Sequence, residues 1–239
     1  MEKNSIQAEI ASYTGKLLRD NFGKGPSSVY VSIKRPFITI YLSDFLAPME
    51  RVLIGQNKTI KVEETRDLLM QELLPDIKAT LKASAGLDIK EMYYDWSLHN
   101  KTGILVGEMI NEDGENDILL ENYEKKEAIH EQIGEVSMQA EKWPEAVDSC
   151  LLNDRTLIIT RVGILVKIEK ELIRRGFEEQ LKLSKRQLEK RLLDAGEFEK
   201  ILGSKIKDIF VDWDFNIDKS YIIIILQANQ PYGGNELDK

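Results

Sequence analysis

The sequence predicts an α+β protein made of two tandem copies of one unit, each running helix, hairpin, helix, hairpin. Two observations predict it. The stretch Tyr93-Tyr94-Asp95-Trp96 returns as Phe210-Val211-Asp212-Trp213 about half of the 239 residues further on, and the hydrophobic periodicities around it return in the same order. The strand candidates pair through short turns, which implies largely antiparallel sheets covered by helices. At 42% hydrophobic and 31% charged residues the chain is globular rather than disordered, and long enough for two cores. The units are expected at 1–116 and 117–229, with 230–239 a disordered tail.

In the first unit, Ile6, Ile10, Tyr13 and Leu17 mark an amphipathic helix over 5–21, with Ser5 the expected cap and Gly23 the stop. Strands at 29–33 and 37–42 follow, joined by the turn Lys34-Arg35-Pro36. Residues 47–54 read as a short helical piece with Pro48 in its first turn. A longer helix over 62–85 carries Val62, Leu69, Leu73, Ile77 and Leu81, with Pro75 expected to kink or divide it and Gly86 to cap it. On the next strand Met92, Tyr94, Trp96 and Leu98 should face the core and Asp95 the opposite side. A turn at 99–103 leads to its partner, 104–110, and the polar stretch 111–116 is the expected linker.

The second unit repeats the order. Ile129, Ile133, Val136 and Ala140 form the helical stripe, strands at 147–152 and 157–162 flank a turn carrying Arg155, and helices over 166–175 and 178–195 precede strands at 209–217 and 221–226. Both hairpin tips, Arg35 and Arg155, are basic. Val211, Trp213, Phe215 and Ile217 form one apolar face, while the run Ile222 to Ile225 does not alternate. Such a run implies a strand buried on both sides, by helices on one and by the first unit or another subunit on the other.

Composition narrows the function classes. A net charge of −8 speaks against nucleic acid as a general partner and against broad contact with anionic lipid, leaving local basic patches open. No apolar run reaches the roughly 18 residues of a membrane span, the first residues lack the apolar core of a signal peptide, and Cys150 has no disulfide partner. The expected location is the cytoplasm.

No stretch assembles a catalytic, cofactor or metal set. Asp95 and Asp212 admit two readings: paired acid or ligand positions of an uncharacterised hydrolase, or carboxylates that accept hydrogen bonds from a turn or neighbouring strand or simply face solvent. Gly23-Lys24-Gly25-Pro26 could form a backbone nest for an anion, but follows a helix rather than opening one. His130-Glu131 begins a zinc-protease motif that fails at Gly134. Lys182, Lys185, Arg186, Lys190 and Arg191 concentrate positive charge on one helix, either a solvated face or a surface for anionic lipid, nucleic acid or an acidic partner. The equivalent first-unit helix is acidic through Glu63, Glu64, Asp67, Glu72 and Asp76, and opposed signs on equivalent helices would suit contact between subunits of a homo-oligomer.

The arrangement resembles the MpsC family, on the first helix ending in Gly23-Lys24-Gly25-Pro26, the hairpin 29–42, the Pro48 segment, and 68–81 followed by Asp95-Trp96 and Lys101-Thr102-Gly103. The second unit is more divergent and carries Trp143-Pro144 where the first has Gly-Lys-Gly-Pro. The resemblance implies a non-enzymatic accessory of a membrane-potential-generating, bicarbonate-handling system of Gram-positive bacteria, peripheral at the inner face of the membrane, with integral transporter subunits as partners. It carries over no catalytic residue.

Overall fold

A computed structural model describes residues 2–110 and 123–227. The expected linker and tail lie outside the described residues. The first unit comprises α1 (Glu2–Phe22), β1 (Ser28–Lys34), β2 (Phe37–Ser43), α2 (Pro48–Gly55), α3 (Thr59–Ala85), β3 (Ile89–Ser97) and β4 (Thr102–Met109). The second comprises α4 (Lys126–Ala140), β5 (Ala146–Asn153), β6 (Thr156–Val162), α5 (Lys167–Arg174), α6 (Glu178–Leu192), α7 (Ala195–Leu202), β7 (Ile206–Asp214) and β8 (Lys219–Leu226). Each sheet is antiparallel, in the orders β1-β2-β4-β3 and β5-β6-β8-β7. The two orders are the same, as a duplication requires.

Several local expectations are revised. α1 begins ahead of Ser5, so that residue sits inside the helix rather than capping it, while Gly23 ends it at φ 71° as expected. Pro75 does not divide α3. It lies on the exposed side of the continuous helix, where water can take the carbonyl it leaves unbonded. The helix expected to reach residue 195 stops at Leu192, and Asp194 starts α7 by accepting from the Gly196 backbone N–H at 2.8 Å. Ile217 belongs to the turn after β7 and is 52% exposed, so the apolar face ends at Phe215.

The core has three layers of contact. Ile38, Ile40, Met92, Tyr94 and Trp96 face α1 and α3, and Ile159, Val211, Trp213, Ile222 and Ile224 face the helices of the second unit. Between the sheets, Phe37, Tyr93 and Val106 meet Cys150, Phe210, Tyr221, Ile223 and Ile225. The isoleucine run is therefore buried on both faces, and the first unit supplies the second cover. At roughly 1.5–3 kcal/mol for each large apolar side chain removed from water, this inter-sheet layer holds the halves together strongly. Trp96 fits against Gly103 on the neighbouring strand so closely that an added Cβ would stand 2.4 Å from the ring.

Candidate functional site

β3 and β7 are each the edge of their own sheet, and the two edges meet. Asp95 accepts from the Val211 backbone N–H at 2.8 Å, and Asp212 accepts from the Tyr94 backbone N–H at 2.8 Å. Each aspartate also accepts from the residue after it, Trp96 at 2.7 Å and Trp213 at 2.8 Å. Equivalent residues make equivalent contacts, the reciprocity of a twofold interface, here within one chain.

Helix α6 lies across this seam. Lys182, Arg186 and Lys190 recur every fourth residue and so share one face. Lys182 pairs with Asp212 at 2.7 Å, Arg186 with Asp95 at 3.1 Å and with Asp67 of α3 at 3.1 Å, and Lys190 with Asp95 at 2.6 Å. Asp95 and Asp212 are 1% and 2% exposed. Their oxygens are occupied by backbone N–H groups and cations, which is the hydrogen-bonding reading and leaves Asp95 no free acceptor for substrate.

Four of the five cations of the basic helix are buried or paired, and Arg191 is the one exposed without an ion pair among the described residues. Arg186 is fully buried, Lys185 is enclosed by Glu141, Glu169 and Glu189, and Lys182 and Lys190 are spent on the seam. A charged stripe reads as solvated until its partners are known, because unpaired charge is almost never buried. The opposed signs of α3 and α6 do produce a contact, but inside the chain.

Burial works against the charge of Arg186, yet Asp95, Asp67 and Asp212 outweigh it and hold the guanidinium above its usual pKa. Burial pushes the Lys185 ammonium down to about 8 against the opposing pull of Glu189. On α3, burial raises the Glu63 carboxyl above its ordinary 4.5, with Arg186 and Lys190 pulling it back, and one Glu63 oxygen is buried without a partner. A raised carboxyl pKa gives stability that is complete below that ordinary value and is lost as pH rises through the folded one. Glu63→Gln removes this loss. Its thermal midpoint near neutral pH should exceed that of the parent, and its gain in stability on acidification should be smaller; a lower midpoint at neutral pH would show that Arg186 and Lys190 require the charge.

Beside the seam, α3, β3 and α6 enclose a cleft of about 560 Å³ lined by Asp67, Leu68, Tyr94, Glu179, Lys182 and Leu183. The hairpin tips behave differently. Each reaches the other unit's edge strand, Lys34 donating to the Leu151 carbonyl at 2.7 Å and Asn153 to the Ser32 hydroxyl at 2.8 Å. Arg155 lines a groove of about 300 Å³ with Tyr30, Tyr41 and Lys207, whereas Arg35 is exposed and outside that lining. The two arginines are not brought to one site.

At the far end of the first unit, Asp44 accepts from Ser27 at 2.7 Å and pairs with Lys24 at 3.3 Å, and the Phe45 N–H donates to the Lys101 carbonyl at 2.7 Å. Ser27 and then Lys24 hold the Asp44 carboxyl below its ordinary range. The Lys24 side chain thus meets a carboxylate, and Gly25 gives α1 room, since a Cβ there would stand 2.9 Å from the Gly15 carbonyl. The stretches around Gly23 to Pro26, Pro48 and Lys101 to Gly103 are one neighbourhood. A family model described as "Na+-translocating membrane potential-generating system (MpsC)" matches residues 2–109 and matches again over 123–228. The chain belongs to the MpsC family. Among curated proteins and among solved structures nothing matches.

The two MpsC copies share one further device. Glu50 receives the Ala47 N–H at 2.7 Å and pairs with Arg66 at 2.7 Å; Glu169 receives the Val166 N–H at 2.9 Å and pairs with Lys185 at 2.8 Å. Elsewhere they diverge. The second MpsC copy lacks Gly-Lys-Gly-Pro and secures its end through Asp218, which accepts from the Ile164 and Leu165 N–H groups at 2.9 Å and pairs with Lys170 at 2.8 Å.

Sequence reasoning missed three polar contacts because their members are far apart along the chain. Ser149 lies 2.7 Å from both His130 Nε2 and the Tyr123 hydroxyl, and burial lowers the His130 pKa. Ser149 is 2% exposed, with both contacts already made. Glu108 binds Lys219 at 3.1 Å and the Tyr221 hydroxyl at 2.5 Å between the sheets, and Asp208 accepts from Tyr41 at 2.8 Å. The alternation of the strands was the available signal, since each polar residue interrupts an apolar face.

Proposed function

We propose that this chain is a non-enzymatic accessory of a Na+-translocating membrane-potential-generating system, held at the inner face of the membrane by docking on the system's integral subunits. The observation that carries the reading is the double match to the MpsC family model. No helix among the described residues is long and apolar enough to cross a membrane. The occupied carboxylates of the seam favour a structural role for Asp95 and Asp212 over the hydrolase reading. The ground for expecting a homodimer, opposite charge on equivalent helices, is used within one chain, so the docking unit is an internal pseudo-dimer.

The test is affinity copurification of the tagged chain from its native host in mild detergent, with mass spectrometry of the partners. Integral transporter subunits are the expected companions. Recovery of the chain alone, from a preparation in which other membrane complexes survive, would overturn the reading.

A further inference from the structure

The two MpsC copies differ most visibly on the short helix after the first hairpin. In the first unit α2 buries none of its residues. Met49 is 76% exposed and Val52 59%, and three positions apart they share a face. Ile60, 48% exposed, follows in the first turn of α3. Arg51, Lys58 and Lys61 are all exposed and form no ion pair among the described residues. Exposed apolar side chains close in the chain to exposed cations without ion pairs are the composition of an element that lies in a bilayer interface.

The second copy is an internal comparison, because the paired capping contacts at Glu50 and Glu169 align the helices. Glu171 then stands where the first copy has Val52, and Glu179 where it has Ile60. Most of the cations are also paired there, Lys170 with Asp218 and Arg174 and Arg175 with Glu171, while Lys167 is exposed. The second copy keeps Ile168, 65% exposed, at the place of Met49 and Phe177, 48% exposed, at the place of Lys58, so what sets the first copy apart is Val52 and Ile60 in place of two carboxylates.

We propose that the α2 edge of the first unit rests on the anionic phospholipid surface of the membrane, with Met49, Val52 and Ile60 entering the interface and Arg51, Lys58 and Lys61 meeting phosphate. The net charge of −8 does not oppose this contact, because screening confines the interaction to about 8–10 Å, and there Arg51, Lys58 and Lys61 outnumber the exposed Glu64 one turn along α3, Glu50 being paired with Arg66. An acidic protein partner would match the cations but leaves the apolar exposure shared between two proteins; the bilayer satisfies both with one surface. The proposal adds a lipid contact to the accessory reading and is tested without any protein partner.

The experiment is cosedimentation of the full chain with vesicles of equal parts phosphatidylglycerol and phosphatidylcholine, against vesicles of phosphatidylcholine alone. Binding is expected to the anionic vesicles and to weaken as salt is raised. Combined Arg51→Glu, Lys58→Glu and Lys61→Glu should weaken it by roughly a hundredfold or more. Combined Met49→Ser, Val52→Ser and Ile60→Ser should weaken it by at least about tenfold. Ile168→Ser with Phe177→Ser, exposed changes on the second copy, should leave it unaltered. Thermal melts verify that the variants fold, and if the serine set does not, the charge set decides alone. Absence of binding by the parent, or equal binding by the charge-reversed chain, overturns the lipid contact. If the parent fails on vesicles yet copurifies with integral subunits, the accessory reading stands and the occupant of α2 is protein.

Discussion

Replacing Asp95 by alanine is expected to cost about 3–5 kcal/mol, the range for stranding one partner of a buried ion pair. At about 2–4 °C per kcal/mol for a chain of this size, the thermal midpoint should fall by roughly 6–20 °C. The reason lies in what is left behind. Arg186 is fully buried and keeps one ion pair, with Asp67 at 3.1 Å, and the attraction of Asp212; Lys190 loses its carboxylate, and the Val211 and Trp96 N–H groups lose their acceptor. Asp212→Ala should cost less, because its cation Lys182 has a side chain 20% exposed and can turn to water. Denaturant unfolding of both variants measures the difference. If Asp212→Ala proved the more damaging, burial of the cation would not be what sets the cost, and the seam would depend chiefly on its cross-strand hydrogen bonds.

That asymmetry also marks where reading the sequence stops. The duplicated Asp-Trp, the alternating strands and the doubly buried isoleucine run were legible because each is a local pattern with a period that the fold obeys. Trp96 and Trp213 could be placed in their cores from neighbours two residues away. The partners of Asp95 could not. They come from β7 and α6, more than ninety positions along the chain, and only the meeting of two sheet edges brings them within reach. The same limit misplaced the basic stripe on α6, since its periodicity gives the face but not what the face meets. α7 was overlooked for a local reason, because Gly196 weakens the helical signal directly after the break at Leu193-Asp194.

The duplication supplies its own control for a second buried pair. Arg161 on β6 and Glu189 on α6 are 1% and 0% exposed and lie 2.5 Å apart. The first copy has Leu42 and Met70 at the equivalent places, both fully buried. Arg161→Leu alone should cost about 3–5 kcal/mol by stranding Glu189, and Glu189→Met alone a similar amount by stranding Arg161. The double variant should return to within about 1 kcal/mol of the parent, since replacing a whole buried pair by apolar side chains is often neutral or better. Two contacts test that expectation. Trp213 loses the 3.2 Å bond from its indole N–H to Glu189, but the equivalent Trp96 indole N–H is already buried without a partner, so the fold accommodates that loss. Lys185 loses Glu189 at 3.8 Å and keeps Glu141 and Glu169. A double-mutant cycle from urea unfolding should therefore give a coupling of at least about 3 kcal/mol. Additive losses would mean that Arg161 and Glu189 act separately, Arg161 through the hydroxyls of Ser137 and Ser220 at 3.0 and 2.8 Å and Glu189 through Trp213, with their mutual attraction contributing little.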